Sequence, residues 1–318
     1  NNQTKGNNMF FKNIFVFAFT RPFTTTQAEL EDALQSKAFA PLLASQLSRT
    51  GFVSAIGKHS KSLTHGASGN VLMCMREESK ILPAPYIKNL VNERIDLIKT
   101  EHGRKATKKE REQLKEDVID ELLPQAFTRT VDTQAYINAE NNTIVINTSS
   151  RSKAEDFLAL LRSALGSLPV TSITPKKDIS ETMTGWLGSA PLVDRFSLGD
   201  EAELHEPGDE SPITKVKQQD LLGPEVSLLL ESDARVTKVS LDYADLVSFV
   251  LHDDLSIKRI KFSDIISDQN NDIDCDDYVA RIDVDFTLMT GELNKMIDHL
   301  HREFAFNARD YLDEIILN

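Results

Sequence analysis

The sequence predicts an α+β protein in which antiparallel sheets pack against amphipathic helices. Paired apolar or alternating segments are separated by turns containing glycine or asparagine, which is typical of antiparallel hairpins. Between these pairs, apolar residues recur at the spacing of amphipathic helices. The 318 residues are 40% hydrophobic and 27% charged, so the chain can bury a sizeable core in two or three domains.

The first apolar segment, Phe10–Phe19, is predicted to be a buried strand. It is too short for a membrane-spanning helix, it is interrupted by Lys12 and Asn13, and it has no convincing signal-peptide cleavage site. Residues 1–8 are polar and patternless, as expected of an expression remnant or a natural extension, and carry no fold prediction.

The next segments alternate between helices and hairpins. In order, the predicted elements are a helix near Gln27–Ser36, a hairpin in 63–78, a hairpin in 128–147, and a helix capped by Ser152 and Glu155 that stops at Gly166. Residues 9–84 together with 125–170 are therefore expected to form one α/β core.

A helical arm is predicted to interrupt this core at residues 85–124, between two prolines. Its pattern is helical at both ends and breaks at Gly103, and Thr107 with Glu110 forms a capping box that starts a new helix. The expected arm therefore has one helix at about 86–101, a basic elbow, and a second helix at about 108–123.

A second α/β region is predicted at residues 173–318, after a linker in 167–178. The segment 236–262 indicates three antiparallel strands, since Val239, Leu241 and Tyr243 alternate with polar residues. A last amphipathic helix is expected to begin near Thr290.

The basic elbow is unexpected in an acidic chain. The formal net charge is −13, yet residues 101–117 hold seven basic residues against five acidic ones, counting His102. Cations in the first turn of a helix oppose its dipole, at a cost of a few tenths to ~1 kcal/mol each. Beside free backbone N–H groups, however, they form a corner that can bind phosphate. The candidate phosphate-contacting residues here are Arg104, Lys105, Lys108, Lys109, Arg111 and Lys115.

A plainer interpretation of the elbow stays open at this point. Charge runs are usually solvated helix faces, in which Glu110 and Glu112 would pair with nearby cations. Arg104, Lys108 and Arg111 would share one face with Lys115 only if the helix ran through Gly103.

Two further basic sites are candidates for phosphate contacts. In the strand around 257–262, Arg259 and Lys261 are predicted on one face, and Lys258 on the other face with Ile260 and Phe262. The second site is the polar stretch that carries Lys215, Lys217, Gln218 and Gln219, whose long side chains can reach a phosphate or a groove edge. An exposed sheet face and an ordinary polar connection are the alternatives.

No catalytic, metal or cofactor motif is recognisable, so no cofactor is expected, and an enzyme would need an active site assembled from scattered residues. Asp268–Val279 begins like a calcium loop, but Ile273 replaces the turn glycine and Val279 the terminal glutamate, so no calcium binding is predicted. Cys74 and Cys275 are isolated and form neither a disulfide framework nor a zinc site, which indicates a reducing cytoplasm.

Four segments resemble the RdgC family of recombination-associated proteins of proteobacteria. They are LTHGASGNVLMCMREESKILPAPYI, LLPQAFTR, SKAEDFLALLRSALGSLPV and DQNNDIDCDDYVARIDVDFTLMTGEL, and they occur in the family's order from about Met9 to about Leu300. The resemblance implies horseshoe-shaped subunits that close into a ring dimer around duplex DNA, with little sequence preference. It also implies a nucleoid-associated cytoplasmic protein that restrains the RecA recombinase during recombination and replication-fork repair.

The resemblance also assigns residues. Arg104 matches an arginine of the family's basic arm, and Phe127 matches a phenylalanine. Phe127 is a candidate anchor of the dimer interface, with burial in the subunit core as the alternative, since phenylalanine is usually buried. Gln218 and Gln219 occupy the family's Lys-Gln finger, so the first departs from the pattern and Lys217 is the substitute cation. Gln125 stands where relatives can carry arginine.

Two functions from different classes follow. The first is a ring-shaped duplex-DNA binder without enzymatic activity. The second is a protein-interaction factor that docks partners through acidic segments and touches DNA incidentally. The salt dependence of DNA binding separates them. Phosphate neutralisation gives a slope of log affinity against log salt concentration of about −0.9 per contact, whereas a protein-docking factor should hardly bind bare duplex.

Overall fold

A computed structural model describes residues 9–208, 211–267 and 278–304. It is a mixed α+β structure in which twelve described strands form one open sheet and eight α-helices flank it. The strands are β1 (Ile14–Phe19), β2 (Ser48–Val53), β3 (Thr64–Ala67), β4 (Asn70–Lys80), β5 (Thr128–Asn138), β6 (Thr143–Asn147), β7 (Val170–Ser172), β8 (Phe196–His205), β9 (Ile213–Lys217), β10 (Arg235–Tyr243), β11 (Val247–His252) and β12 (Ile257–Phe262). The helices are α1 (Gln27–Gln35), α2 (Ala84–His102), α3 (Lys108–Leu122), α4 (Arg151–Leu165), α5 (Ile179–Leu187), α6 (Pro224–Glu231), α7 (Asp264–Ser267) and α8 (Tyr278–Glu303).

The sheet is antiparallel along its whole path. Its order is β2-β4-β5-β6-β1-β12-β11-β10-β8-β9, with β3 paired to β4 and β7 paired to β1 beside this path. The two halves meet where Ile14 of β1 pairs with Ile257 of β12. The open antiparallel architecture confirms the α+β prediction.

β1 is buried on both faces, which explains its uninterrupted apolar sequence. Ile14 joins the larger core cluster, which includes buried residues of α5 and α8. Phe15, Phe17 and Phe19 join a second cluster, which includes residues of α1 and α4. Successive side chains of a strand point to opposite faces, so the two clusters lie on opposite sides of the sheet.

The arm arises between two paired strands. β4 and β5 pair from Asn70↔Asn138 to Lys80↔Thr128, and α2 and α3 form the connection between them. Gly103 ends α2 with a φ of 63°, a left-handed conformation that glycine adopts without strain. The predicted capping box starts α3: the Glu110 amide donates to Thr107 Oγ1, and the Thr107 amide donates to the Glu110 carboxylate. The helical arm and its elbow are thus confirmed as local structure.

Several predicted boundaries are wrong. The helix expected from Thr290 begins at Tyr278, because Ile282, Phe286 and Met289 extend its buried stripe. α4 is capped by Ser150, whose Oγ accepts from the Lys153 amide, and not by Ser152. The segment proposed as a linker contains β7, which pairs with β1.

Seven elements were not predicted: β2, β7, β8, β9, α5, α6 and α7. β2 carries few apolar residues, and its place in the sheet comes from its pairing with β4 between Ser48↔Ser79 and Val53↔Cys74. β8 is similarly irregular, with Gly199 and adjacent charges in its middle. Such strands are specified by their neighbours more than by their own alternation.

Candidate nucleic-acid interface

One face of the second half of the sheet is lined by basic side chains. In β10, Val239, Leu241 and Tyr243 are buried in the larger core cluster, whereas the alternating Lys238 is only half-buried. The same alternation in β9 and β11 places polar side chains opposite the core, whereas β12 departs from it by a bulge. We call this surface the basic sheet face; its basic residues are Lys215, Lys217, Lys238, His252, Lys258, Arg259 and Lys261.

A bulge changes the predicted orientation of the β12 residues. Arg259 has a φ of 54°, and the pairing of β11 with β12 shifts register between Ser248 and Val250. The extra residue switches the side-chain alternation, so Ile257 and Ile260 are both buried. The prediction that Lys258 lies on the opposite face from Arg259 is therefore wrong: the two residues line the same cleft.

The bulge is held by the chain segment before β1. The Arg259 amide donates to Asn13 Oδ1 at 3.2 Å, and the Ile260 amide donates to the Lys12 carbonyl at 2.9 Å. This explains why Asn13 interrupts the first apolar segment, since its side chain binds the backbone of a strand that is distant in sequence; the Lys12 contact uses only the main chain.

Two open clefts cross the basic sheet face. The cleft beside Lys258 has a volume of about 300 Å³ and is also lined by Lys215, Lys217 and Lys238. The cleft beside Lys261 has a volume of about 250 Å³. Arg259 and Glu201 line both clefts, so the two clefts form one continuous surface.

Asp200 of β8 and Asp242 of β10 line the cleft beside Lys261, and two further carboxylates of β8, Glu201 and Glu203, form ion pairs with the cations of this face. Glu201 accepts a hydrogen bond from Arg259, and it pairs across the strands with Lys217. Glu203 forms ion pairs with Lys238 at 2.6 Å and with Lys215 at 3.4 Å. Sequence reasoning missed both carboxylates. The available signal was the complementary spacing of Glu201 and Glu203 with Lys215 and Lys217 in consecutive strands.

The local field perturbs the titration of these groups. Hydrogen bonding to Arg259, followed by the nearby Lys217 and Lys261, lowers the pKa of Glu201. Burial raises the pKa of Glu203, but its hydrogen bonds to Lys238, His205 and Lys215 outweigh this and bring the pKa to about 2. Burial and then the charge of Lys258 lower the pKa of His252 to about 4. Both carboxylates are therefore ionised near neutral pH.

The predicted glutamine pair lies at the edge of this surface. Gln218 and Gln219 directly follow β9, and both are exposed. Gln218 has a φ of 53°, and the Gln219 amide donates to the Asp200 carbonyl at 3.4 Å. The turn thus holds the glutamines beside Lys217, at the end of the strand.

The elbow is a second, separate cluster of cations. Arg104 forms a bidentate ion pair with Glu110, with N–O distances of 2.6 and 2.8 Å. Lys108 stands 4.0 Å from Glu112, with its side chain 93% exposed. Lys105 and Lys109 are exposed as well. Because α2 ends before Arg104, the continuous four-residue basic face does not form, and Arg111 and Lys115 remain exposed on α3.

Phe127 lies on the surface at the base of the arm. It is 84% exposed, so the alternative that it belongs to the subunit core is wrong. Its carbonyl accepts from the Ile81 amide at 2.8 Å, which places Phe127 beside another exposed apolar residue. Leu47 lies at the same end of the sheet, since its carbonyl accepts from the Lys80 amide.

Metal and membrane features were sought in the described residues only. In residues 9–208, 211–267 and 278–304, no three His, Cys, Asp or Glu side chains stand close enough together to hold a metal ion. No helix in these ranges combines the length and apolar character needed to cross a membrane. The calcium prediction concerns Asp268–Val279, of which residues 268–277 lie outside the described residues, as do Cys275 and the tail from residue 305.

Comparison with known proteins gives consistent matches over nearly the whole chain. A family model described as "Putative exonuclease, RdgC" matches residues 9–306. The recombination-associated protein RdgC of Colwellia psychrerythraea is 50% identical over 306 residues, covering 96% of this chain and 100% of the relative. The proteins of that name from Aeromonas hydrophila and Tolumonas auensis are each 44% identical, cover 92% of this chain, and are themselves covered to 96% and 97%.

Proposed function

The chain belongs to the RdgC family of recombination-associated proteins, and from this premise we propose that it binds duplex DNA without sequence preference as a ring dimer. The bound ring would compete with the RecA recombinase for DNA and so restrain recombination. The observation that carries the proposal is the basic sheet face, which is built from cations of three strands in a chain of net charge −13.

The chemistry of this face suits the phosphate backbone. Its donors are mostly lysines, which are flexible point charges and recognise phosphate without selecting a base. They project from a sheet whose strands lie about 4.8 Å apart, so they spread over a broad surface. Such a surface fits contacts with successive phosphates along a duplex better than the reading of base edges.

The elbow supplies the second set of proposed contacts. Lys108 and Lys109 occupy the first turn of α3, where free backbone N–H groups and the helix dipole also favour an anion. Lys105 lies in the elbow itself. With Arg104, Arg111 and Lys115 these residues form the proposed phosphate contacts of the arm.

Closure into a ring requires two self-complementary contacts, because two subunits related by a two-fold axis meet once at each end of a horseshoe. The exposed side chains of Phe127, Ile81 and Leu47 supply an apolar anchor for one of these contacts. Large exposed aromatic residues are typical centres of binding energy in such interfaces.

Binding to two unrelated duplexes, measured by fluorescence anisotropy over a salt series, tests the proposal. We expect similar affinities for both sequences and a log–log salt slope of about −0.9 for each phosphate neutralised. Sedimentation at the same concentrations should show a dimer. Failure to bind either duplex at low salt would instead support the alternative of a protein-interaction factor that uses its acidic surface.

The family description includes the word exonuclease, whereas the names of the relatives do not. In the proposal DNA is a ligand and not a substrate. Incubation of end-labelled duplex and single strands with the protein, in separate reactions with magnesium and manganese, checks this point. Release of labelled nucleotides that co-purifies with the protein would overturn it.

A further inference from the structure

The carboxylates of the basic sheet face are placed where a DNA-binding surface would be expected to avoid negative charge. Glu201 and Glu203 are adjacent outward-facing residues of β8, and the strands on both sides of β8 present cations to them. Their side chains are only 28% and 13% exposed. They are therefore integral to the surface and are not solvated residues at its rim.

Nearly every cation of the face is associated with one of these two carboxylates. Arg259 is bonded to Glu201, and the charges of Lys217 and Lys261 act on the same carboxylate. Lys238 and Lys215 are paired with Glu203. The remaining cation, Lys258, has its Nζ 6.0 Å from the centre of the Phe15 ring.

We propose that Glu201 and Glu203 are built-in competitors of the DNA phosphates, which hold the cations of the basic sheet face in the free protein and set its affinity for duplex. This inference rests on the proposed function, since it concerns the same surface. Each cation that contacts a phosphate first leaves a carboxylate, so one anion is exchanged for another and the net gain of each contact is small. The carboxylate left behind repels the incoming strand.

The physical consequence is a surface that binds DNA weakly at each contact and favours no single position along the duplex. A face with the same cations and no carboxylates would bind duplex more tightly and release it more slowly. Exchange of like anions keeps each contact weak, and enclosure by a ring then supplies retention. Such a face favours movement along the duplex over attachment at one position.

Replacing both carboxylates by the isosteric amide tests the proposal. The variant E201Q/E203Q keeps the volume of both side chains, removes their charge, and replaces one acceptor oxygen of each by an NH2 donor. We expect it to bind duplex on the order of tenfold more tightly, since each partly exposed ion pair resists exchange by a factor of a few and two such carboxylates are removed per subunit. Anisotropy from about 50 to 200 mM salt gives the affinity, and the variant's log–log slope should be at least as steep as that of the wild type.

A matched control tests whether a loss of negative charge elsewhere on the protein raises the affinity for duplex as much. E292Q/E303Q removes two carboxylates of similar exposure that pair with Lys295 and Lys177, on the helix that packs against the opposite side of the sheet. Its affinity should change by less than about twofold. Thermal melting confirms that each variant is folded, and E201Q alone provides a second test if the double variant is unstable.

The outcomes separate this inference from the proposed function. Unchanged binding by E201Q/E203Q and E201Q, with a wild type that binds duplex, overturns the inference alone. Weaker binding also overturns it and shows that the carboxylates position the cations for DNA. If neither the wild type nor the variants bind duplex at low salt, both the inference and the proposed function are wrong.

Discussion

The elbow and the basic sheet face are both rich in cations, but they are built in opposite ways. At the elbow, each anionic partner is close in sequence: Arg104 pairs with Glu110, and Lys108 with Glu112. On the sheet face, Arg259 pairs with Glu201, fifty-eight residues away, and the pairs lie within a packed sheet.

This difference affects how readily the cations reach a ligand. The elbow residues are exposed and belong to a short two-helix arm, so their local pairs are screened by water and exchange easily. The sheet-face pairs are partly desolvated and form a network, so their exchange is more costly. The comparison predicts stronger phosphate contacts at the elbow than on the sheet face.

The largest effect is expected from the elbow. R104A/K105A/K108A/K109A removes up to about eight phosphate contacts per dimer, so the log–log salt slope should fall by several units for any duplex sequence. The control K37A/K58A/K61A/K176A removes four exposed lysines elsewhere and should alter the slope much less. An unchanged slope in the elbow variant would show that the elbow is only a solvated helix start.

Removing cations from the basic sheet face should lower the log–log salt slope by less. K217A/K258A/K261A removes up to about six contacts per dimer, but Glu201 already neutralises part of that charge, so each residue should contribute less than an elbow residue. The same two duplexes and salt series measure it. A loss per residue larger than at the elbow would reverse the comparison.

The variant Phe127→Ala tests the proposed enclosure of DNA by the dimer separately from the phosphate contacts, because it leaves every cation in place. Truncation of a central interface aromatic should weaken the dimer by roughly 30-fold or more. Since Phe127 is 84% exposed, the melting temperature of the subunit should hardly change. Sedimentation measures the dimer, and comparing retention on circular and linear DNA at high salt measures enclosure.

The matched control is Leu228→Ala, which truncates another exposed apolar side chain, on α6. It should leave both the dimer and retention on circular DNA intact. A large fall in melting temperature for Phe127→Ala, with the dimer preserved, would argue that the side chain stabilises the subunit itself.

The smallest effect is a pH-dependent change in stability at the sheet face. The folded pKa of Glu203, about 2, lies below the ordinary value of 4.5 for a glutamate, so its stabilising contribution is present above pH 4.5 and is lost as the pH falls toward 2. E203Q should therefore melt about 1–2 °C below the wild type at pH 7. The difference should vanish near pH 2.

The elbow counterpart sharpens this test. Glu112 is 65% exposed, and its Oε1 lies as far as 4.0 Å from Lys108 Nζ, so this ion pair is weak. E112Q should therefore melt like the wild type throughout the pH range. Equal destabilisation by E112Q and E203Q would show that the two sites do not differ in desolvation.

The sequence alone determined the features that depend on short-range interactions. The capping box of Thr107 and Glu110, the left-handed Gly103 and the hairpins of 63–78 and 128–147 follow from contacts between residues a few positions apart or across one tight turn. Such contacts are specified by the identity and spacing of neighbouring residues, so they could be predicted without the rest of the chain.

Only the tertiary structure decided which charges meet. The Lys12 carbonyl and the Asn13 side chain hold the bulge at Arg259, and the strand order places Glu201 beside that arginine. A one-residue bulge reverses side-chain orientation without any strong signal in the sequence, and register between distant strands depends on packing across the whole sheet. The cations of the basic sheet face could therefore be counted from the sequence, but their convergence on Glu201 and Glu203 required the fold.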